Sequence, residues 1–423
     1  MNGSGKGFPV TSKSQPRRLW RRTFGATLVF ALAACSSGDF SIGSRRLSWG
    51  DPQPSTQPVQ QGNPFNQGTL PTAAGETFGR GPVRVALLLP LSGDPALANV
   101  GRSLANASRQ AISFIEASPT IAENITIVLK DTGTSPAGAA QAASAAVQEG
   151  ASLILGPLKA DQVTAAGAVA RSSGTPLIGF SNNSAAAGPG VYLLSVLPEA
   201  ELKRSLTFAV GQGRRGFAAI IPATDYGRAQ EKAFRQALAT IGLPPGPIYT
   251  FSSEAEARSI IDQATPQLKN GGIDALFIPD RASAPTFGTL LQQTGVNLRD
   301  LTIIGSADWE GDARIAQTAG LASAIYPTVD PAGLQAIAGE YQAKFGAPPH
   351  PLSTIAYTAT ILANVGSLSM ANPRYNQVLM TAAAGFNGRD GVFRFLGNGQ
   401  SEYALAIKQV GNGTTTVIDG PKL

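Results

Sequence analysis

The sequence of 423 residues contains one cysteine, Cys35, and one histidine, His350. A disulfide needs two cysteines, so the fold must hold without an internal one. A metal site of His and Cys ligands cannot be assembled from this inventory, and a Ser-His-Asp triad would depend on His350 alone. His350 stands in the proline-rich stretch GAPPHPLS, where we expect an exposed loop residue. We therefore predict no metal.

Long apolar runs are also missing. The apolar run near the N-terminus, from Phe24 to Ala34, has eleven residues, whereas a stable membrane-spanning helix takes roughly 20. Six basic residues and no acidic residue precede this run. A basic region followed by a short apolar run is typical of a secretory signal peptide, which we predict for residues 1–34. The partial motif RRTF leaves a twin-arginine signal as an alternative.

The predicted leader ends in LAAC, with small side chains before Cys35. This ending resembles the lipobox of bacterial lipoproteins, which implies that the Cys35 thiol is acylated and becomes the first mature residue. A chance cysteine at the end of an ordinary signal peptide is the alternative. The next residue is Ser36, which in lipoproteins fits transfer to the outer membrane rather than retention at the inner one. We expect an exported protein that faces the periplasm.

An excess of one charge is absent once the leader is removed. The whole chain has 33 basic and 27 acidic residues, and the six basic residues of the leader account for the difference. The basic balance is therefore no argument for binding nucleic acid.

Residues 35–81 are rich in Pro, Gln, Gly, Ser and Asn and show no sustained hydrophobic period. Such a segment buries too little apolar surface to fold alone, and we predict a flexible linker behind the lipidated cysteine. Its typical reach as a coil is about 35 to 40 Å.

From residue 83 onward, short apolar runs alternate with longer amphipathic stretches. The runs VRVALLL, ITIVLKD, ASLILGP and TPLIGFS come first, and GFAAIIP, IYTFSS, DALFIPD and LTIIGSAD follow after a break. Apolar runs joined by helices are typical of parallel strands covered on both faces. Two such series exceed one ordinary sheet, so we predict an α/β protein with two doubly wound lobes and a cleft between them.

Polar residues follow several of the predicted strands, where doubly wound sheets bind their ligands. They are Ser92 in LLLPLSGD, Lys159 in LILGPLKAD, and Ser181, Asn182 and Asn183 in LIGFSNNSA. Hydroxyl, amide and main-chain N–H groups at such positions suit a carboxylate or another small anion. Because the same residue types are common in ordinary turns, the pattern marks candidates rather than a site.

Two carboxylate pairs are the remaining candidates for acid–base chemistry. Asp308 and Glu310 lie in GSADWEG, and Glu254 and Glu256 lie in SSEAEA. The second pair begins a predicted helix, where acidic residues offset the N-terminal dipole. No GxxxxGK[ST] phosphate loop occurs. We predict no catalytic residue and no cofactor.

Five segments carry a specific resemblance: VRVALLLPLSG, LKDTGTSPAGAAQAASAAVQEGASLILGPL, TPLIGFSNNS, IIPATDYGRAQEKAF and GFNGRDGVFRFLGNGQSEYALAIKQV. In this order they resemble the leucine/isoleucine/valine-binding branch of type I periplasmic binding proteins. The resemblance implies a domain over residues 82–423, in which three crossovers join two lobes that close on a small ligand. The implied lobes are 82–197 with 327–395, and 198–326 with 396–423.

The resemblance also implies roles for second-lobe residues. In amino-acid binders of this branch, acidic and tyrosine positions of the second lobe meet the ligand amine and side chain, which corresponds to Asp308 and Tyr226 here. The first lobe departs from the pattern. Leu158 and Lys159 stand where Ser or Thr residues usually fix the ligand carboxylate, and FSNNS replaces an Ala-Thr step. These departures speak against an ordinary amino-acid binder.

The segments ALLLPLSG and LILGPLK are similar to those of the LpoA-like penicillin-binding-protein activators. Members of that group are outer-membrane lipoproteins that stimulate a peptidoglycan synthase. The best-known activators carry a helical-repeat domain ahead of this fold, which residues 36–80 are too short to supply. We predict a monomeric, non-catalytic regulator of this kind, whose partner is a synthase. The alternative is the binding protein of an ABC importer for branched-chain amino acids or a similar small polar ligand. An enzyme acting on cell-wall fragments is the least supported option.

Overall fold

The computed structural model describes residues 75–423. The predicted signal peptide, Cys35 and almost all of the predicted linker lie outside this range. Inside it, the chain forms two large sheets and one small sheet, and each large sheet has helices on both faces. The predicted α/β architecture with two doubly wound lobes is confirmed.

The first lobe is built on a six-stranded sheet. Its strands are β1 (Thr77–Phe78), β2 (Val83–Leu89), β3 (Ile125–Asp131), β4 (Leu153–Leu155), β5 (Leu177–Gly179) and β6 (Val191–Leu193). Helices α1 (Pro95–Ala117), α2 (Pro136–Gln148) and α3 (Ala160–Ser173) connect them. The order is β1-β3-β2-β4-β5-β6, and all pairs except β1 with β3 are parallel.

Strand β2 shows why its residues form a central strand. Val85, Leu87 and Leu89 are fully buried in the core on one face, while Ala86 and Leu88 are buried in the core on the other. Side chains alternate between the faces of a strand, so a continuous apolar run is needed wherever both faces are covered.

The second lobe repeats the plan. Its parallel strands are β7 (Phe217–Pro222), β8 (Ile248–Phe251), β9 (Ala275–Phe277), β10 (Thr302–Ile304) and β11 (Ile325–Thr328). Its helices are α4 (Pro198–Gly211), α5 (Asp225–Thr240), α6 (Ala257–Lys269), α7 (Ala284–Gln293) and α8 (Ala313–Gln317). Strand order reverses between β7 and β9, as it does between β2 and β4 in the first lobe.

The chain then returns to the first lobe. It forms α9 (Ala332–Phe345), α10 (Ser353–Asn364), α11 (Gly366–Ser369), α12 (Gln377–Met380), β12 (Phe386–Gly388), β13 (Gly391–Phe395) and β14 (Ser401–Tyr403). Phe393, Phe395 and Tyr403 of the small sheet are buried in the first-lobe core. The last strands, β15 (Leu405–Val410) and β16 (Thr415–Lys422), extend the second sheet antiparallel to β11. The chain thus crosses between the lobes three times, after β6, after β11 and after β14.

His350 lies in a loop, as predicted, but the prediction that it is exposed is wrong. The loop that carries it packs against α1, and His350 is half-buried. Its main-chain N–H donates to the Ser103 hydroxyl over 2.9 Å, and its Nδ1 accepts from the Leu352 N–H over 3.2 Å. Burial lowers the pKa of His350. The ring therefore caps its own loop.

Candidate ligand site at the carboxyl ends of the strands

Three loops of the second lobe meet around Tyr226. Its hydroxyl donates to the Pro279 carbonyl over 3.2 Å and lies 3.3 Å from the Ser306 Oγ, which itself donates to Pro279 over 2.8 Å. These residues follow β7, β9 and β10, so the cluster stands at the reversal of strand order where doubly wound folds bind ligands. Thr224 caps α5 by accepting from the Gly227 N–H, which places Tyr226 in the first turn.

Acidic side chains surround this tyrosine. Burial raises the pKa of Tyr226 above its ordinary value, and the Asp308 carboxylate raises it further. Glu201, in the first turn of α4, accepts from the Ala307 N–H over 2.9 Å. Glu199 lies two residues earlier in the same turn and accepts a hydrogen bond from the Ser184 hydroxyl of the first lobe. We call Glu199, Glu201 and Asp308 the acidic cluster.

Burial raises the pKa of Glu201 to about 8. The Ala307 N–H opposes this shift because it stabilises the carboxylate, whereas Asp308 and Glu199 add to the shift by charge repulsion. A cation placed among these groups would relieve the repulsion. The second-lobe side of the site is therefore suited to an ammonium or another positively charged group.

The raised pKa of Glu201 predicts a stability that depends on pH. Between pH 4.5 and about 8, the folded chain binds this proton more tightly than the unfolded chain, so stability falls as pH rises. Replacing Glu201 with Gln keeps an acceptor for the Ala307 N–H and removes the charge. Because the side chain keeps some accessible surface, we expect E201Q to gain only about 1–3 kcal/mol at pH 8, measured by urea unfolding at pH 5, 6.5 and 8.

The control for this experiment is E254Q, which removes an exposed carboxylate at the start of a short helix. Its unfolding free energy should follow the wild-type pH profile. A pH profile of E201Q that also matches wild type would contradict a buried, protonated Glu201.

The polar residues predicted in the first lobe are engaged by their own loops. The Ser92 hydroxyl bonds to Asp131, whose pKa falls below its ordinary range because this bond and three main-chain N–H groups outweigh burial. Lys159 forms an ion pair with Asp161 at 3.3 Å. Ser181 accepts from the Asn183 N–H, and the Asn183 side chain accepts from the Ala185 N–H. The bonds at Ser181 and Asn183 use only acceptor oxygens, so they leave the O–H and NH2 donors of these side chains open to a ligand carboxylate. Ser92 and Lys159, in contrast, each face a carboxylate of the protein itself.

Of the predicted site residues, the structure brings Tyr226 and Asp308 together, and it brings Ser181 and Asn183 together. Asn182 is exposed beside them, while Ser92 and Lys159 each belong to a separate loop. The sequence reasoning missed Glu199, Glu201 and Ser306. The stretch PEAELKR at the start of α4 contained the signal, but acidic residues in a first turn are ordinarily explained by the helix dipole.

Within residues 75–423, no group of three or more His, Cys, Asp or Glu side chains has the arrangement of a metal site. The acidic cluster does not have that arrangement either. Over the same range, no helix combines the length and the apolar character that a membrane crossing requires.

Comparisons place this geometry among known proteins. A sequence model described as periplasmic binding protein matches residues 82–372. A search of curated proteins found no match. A solved structure from Rhodospirillum rubrum, described as a branched-chain amino acid ABC transporter, is 19% identical, covers 79% of this chain and 99% of its own, and has a TM-score of 0.64.

Two further structures share the fold at somewhat lower identity and TM-score. The C-domain of LpoA from Haemophilus influenzae, a regulator of PBP1A, is 16% identical, covers 79% of this chain and 99% of its own, and has a TM-score of 0.60. An ABC transporter substrate-binding protein from Desulfitobacterium hafniense in complex with Leu is 14% identical, with the same coverages and a TM-score of 0.56.

At these identities the similarity shows the fold, and it extends to importer binding proteins and to a synthase regulator alike. The predicted resemblance to type I periplasmic binding proteins is confirmed. Because the family match spans more than half of the sequence, the chain belongs to the periplasmic binding protein family.

Proposed function

We propose that this chain is a non-catalytic, outer-membrane lipoprotein that regulates a peptidoglycan synthase. The observation that supports this proposal is the state of the first-lobe loops. Two of the predicted carboxylate-binding groups instead face carboxylates of their own chain, Ser92 at Asp131 and Lys159 at Asp161. The Asp131 and Asp161 carboxylates repel a ligand carboxylate at these two positions, so the cleft is better suited to a protein partner than to carrying amino acids.

The sequence of the linker supports the same proposal. Acylation at Cys35, followed by Ser36, anchors the chain at the outer membrane, and a coil of this length reaches about 35 to 40 Å on average. A monomeric domain on such a tether contacts a synthase that faces it across the periplasm.

The test uses the full lipidated chain and purified class A peptidoglycan synthases. We expect a synthase to be retained by the immobilised chain and its glycan polymerisation rate to rise several-fold. D308N should stimulate as well as wild type, because in this proposal the acidic cluster takes no part in contacting the synthase. The absence of both binding and stimulation with every synthase tested would contradict the proposal.

A specific observation favours the alternative, an importer binding protein for an amino acid or a similar small polar ligand. The acidic cluster next to Tyr226 attracts a positive charge, because Asp308 and Glu199 are close enough to repel the Glu201 carboxylate. A ligand with an ammonium group would fit the second lobe even if its carboxylate were held weakly.

Thermal-shift screening against amino acids and muropeptides distinguishes the two functions. Binding stabilises the folded chain by RT ln(1 + [L]/Kd), so a ligand at 100 times its Kd adds about 2.7 kcal/mol. In the alternative, D308N, K159A and N182A weaken binding at least tenfold, while the exposed control E254Q leaves it unchanged. No shift with any amino acid would exclude the importer function.

A further inference from the structure

A cavity of about 170 Å³ opens on the surface of the first lobe, between α1, α10 and the β12–β13 hairpin. Its lining includes Phe114 of α1, Tyr357 and Ile361 of α10, and residues 387–389 of the hairpin. We call it the Arg389 cavity. Helix α1 connects the parallel strands β2 and β3, so its last turn, which carries Phe114, lies towards the amino ends of the strands. The Arg389 cavity is therefore distinct from the cleft, and none of the residues predicted for the cleft lines it.

The Arg389 side chain is held in place by an aromatic ring. Its guanidinium carbon lies 4.7 Å from the centroid of the buried Tyr357 ring, and its Nη2 donates to the Tyr357 hydroxyl over 3.1 Å. A guanidinium that is stacked and bonded in this way has lost much of its rotamer freedom before a ligand arrives, which favours binding.

The backbone of the hairpin fixes the same residue. The Arg389 N–H donates to the Thr358 hydroxyl over 3.0 Å. A Cβ on Gly388 would lie only 2.7 Å from the Thr358 methyl carbon, so the hairpin approaches α10 this closely because residue 388 is glycine. The stretch GFNGRDG thus places its arginine at a defined point on the wall of the cavity.

The charge of Arg389 is not compensated by the chain itself. Within residues 75–423, no carboxylate lies within ion-pair distance of its guanidinium, and its Nε and Nη1 donate to no protein acceptor. The neighbouring carboxylate, Asp390, accepts from the Thr354 hydroxyl over 2.9 Å instead. The exposed Asn387 amide adds further N–H donors at the rim. Because a guanidinium and a carboxylate match in geometry and form parallel bonds, the Arg389 cavity is suited to a carboxylate.

The size of the Arg389 cavity and its apolar rim indicate what carries that carboxylate. Its volume is below the roughly 300 Å³ of pockets that enclose a whole small molecule. Phe114 at the rim is 46% exposed, and a small free anion would leave it so. Arginine and aromatic side chains are enriched in the contact surfaces between proteins. A peptide that inserts one acidic side chain and covers Phe114 with an apolar neighbour would use both features.

We propose that the Arg389 cavity is a docking site for an acidic segment of a partner protein. A Glu or Asp carboxylate of that segment pairs with Arg389, and an adjoining apolar side chain packs on Phe114 and Ile361. The site lies outside the cleft, so it does not depend on which function the cleft serves.

The test is saturation-transfer NMR on the full chain with the blocked hexapeptides GGELGG and GGDFGG as probes. We expect a Kd of about 1 mM or lower for each and at least tenfold weaker binding for the uncharged counterparts GGQLGG and GGNFGG. Raising NaCl from about 50 to about 500 mM should weaken binding, because the ion pair forms at the surface.

Matched variants locate the peptide. R389M removes the charge and F114S removes the apolar contact, and each should weaken binding of GGELGG at least tenfold. R299M and V378S make the same changes at an exposed arginine and an exposed valine elsewhere on the chain, and both should bind as wild type.

Each other outcome would overturn the proposal. Peptides that fail to bind at about 5 mM, or that bind equally with Glu and with Gln, would show that Arg389 does not select a carboxylate. Competition by acetate at the same concentration as GGELGG would indicate a site for small anions rather than for a protein segment. If R389M fails to fold, R389K, which keeps the charge but loses the parallel bonds, and F114S decide between these outcomes.

Discussion

Replacing Gly156 with alanine should lower the free energy of unfolding by more than about 3 kcal/mol. Gly156 has a φ of +81°, and a Cβ built there would lie 2.1 Å from the Leu88 carbonyl oxygen of the neighbouring strand. The Gly156 N–H also donates to the Ile178 carbonyl over 2.7 Å, so the backbone cannot move away without breaking a bond between β4 and β5.

Gly150 offers the matched control. Its φ is +80°, but nothing lies within 4 Å of the position that a Cβ would take. G150A therefore measures the cost of the left-handed conformation alone, which is about 1 kcal/mol. Urea unfolding followed by circular dichroism gives both values. Equal losses for G156A and G150A would contradict the close contact with Leu88.

The consequence of G156A reaches the candidate site. The loop that begins at Gly156 carries Lys159, and the Pro157 carbonyl accepts from the Phe180 N–H over 2.9 Å, which joins this loop to the one that carries Ser181. A shift at Gly156 thus moves two of the predicted site loops together. Any ligand of the cleft should bind more weakly to G156A than to G150A.

The strands of both lobes could be predicted because a sheet covered on both faces leaves a continuous apolar run. VRVALLL and ITIVLKD coincide with β2 and β3 residue for residue. Shorter strands were harder to delimit, since β4, β5, β9 and β10 span three residues each inside longer apolar runs. Flanking residues such as Gly156 and Ile278 still donate to the neighbouring strand, but they lie beyond the ends of the regular strands.

The acidic cluster could not be predicted, because it is assembled from distant parts of the chain. Glu201 accepts a hydrogen bond from the N–H of Ala307, which is 106 positions away in the sequence. Nothing local in PEAELKR indicates that contact. Tyr226 was found only through the resemblance to a family, which also gave Asp308 its ligand-binding role. Ser92 and Lys159 were correctly placed after strands, but their bonds to Asp131 and Asp161 depend on loop conformations that residue types alone do not specify.

Glu310 has a structural role that its position next to Asp308 in the sequence did not suggest. Its carboxylate accepts from the Lys408 ammonium over 2.7 and 2.8 Å and from the hydroxyls of Tyr326 and Thr328 over 3.2 and 3.1 Å. Glu310 therefore ties the turn that carries Asp308 to β11 and β15, and it is a structural residue.

The two partners of this ion pair differ in burial, and that difference predicts unequal effects. The Lys408 side chain is 11% exposed, whereas that of Glu310 is 37% exposed. E310Q leaves an ammonium group in the interior without its counter-charge, and we expect a loss of about 2–3 kcal/mol in unfolding free energy. K408M leaves a carboxylate that water and two hydroxyls still solvate, so we expect a loss of about 1 kcal/mol.

The double variant E310Q/K408M tests whether the two losses share one cause. If the loss in E310Q comes from the buried charge of Lys408, removing that charge as well should return the stability to about that of K408M, which corresponds to a coupling of about 2 kcal/mol in a double-mutant cycle. Additive losses, or a smaller loss for E310Q than for K408M, would show that Lys408 is not stabilised by Glu310. Because Asp308 lies two residues away, the same cycle repeated on ligand affinity reports how firmly this ion pair positions the acidic cluster.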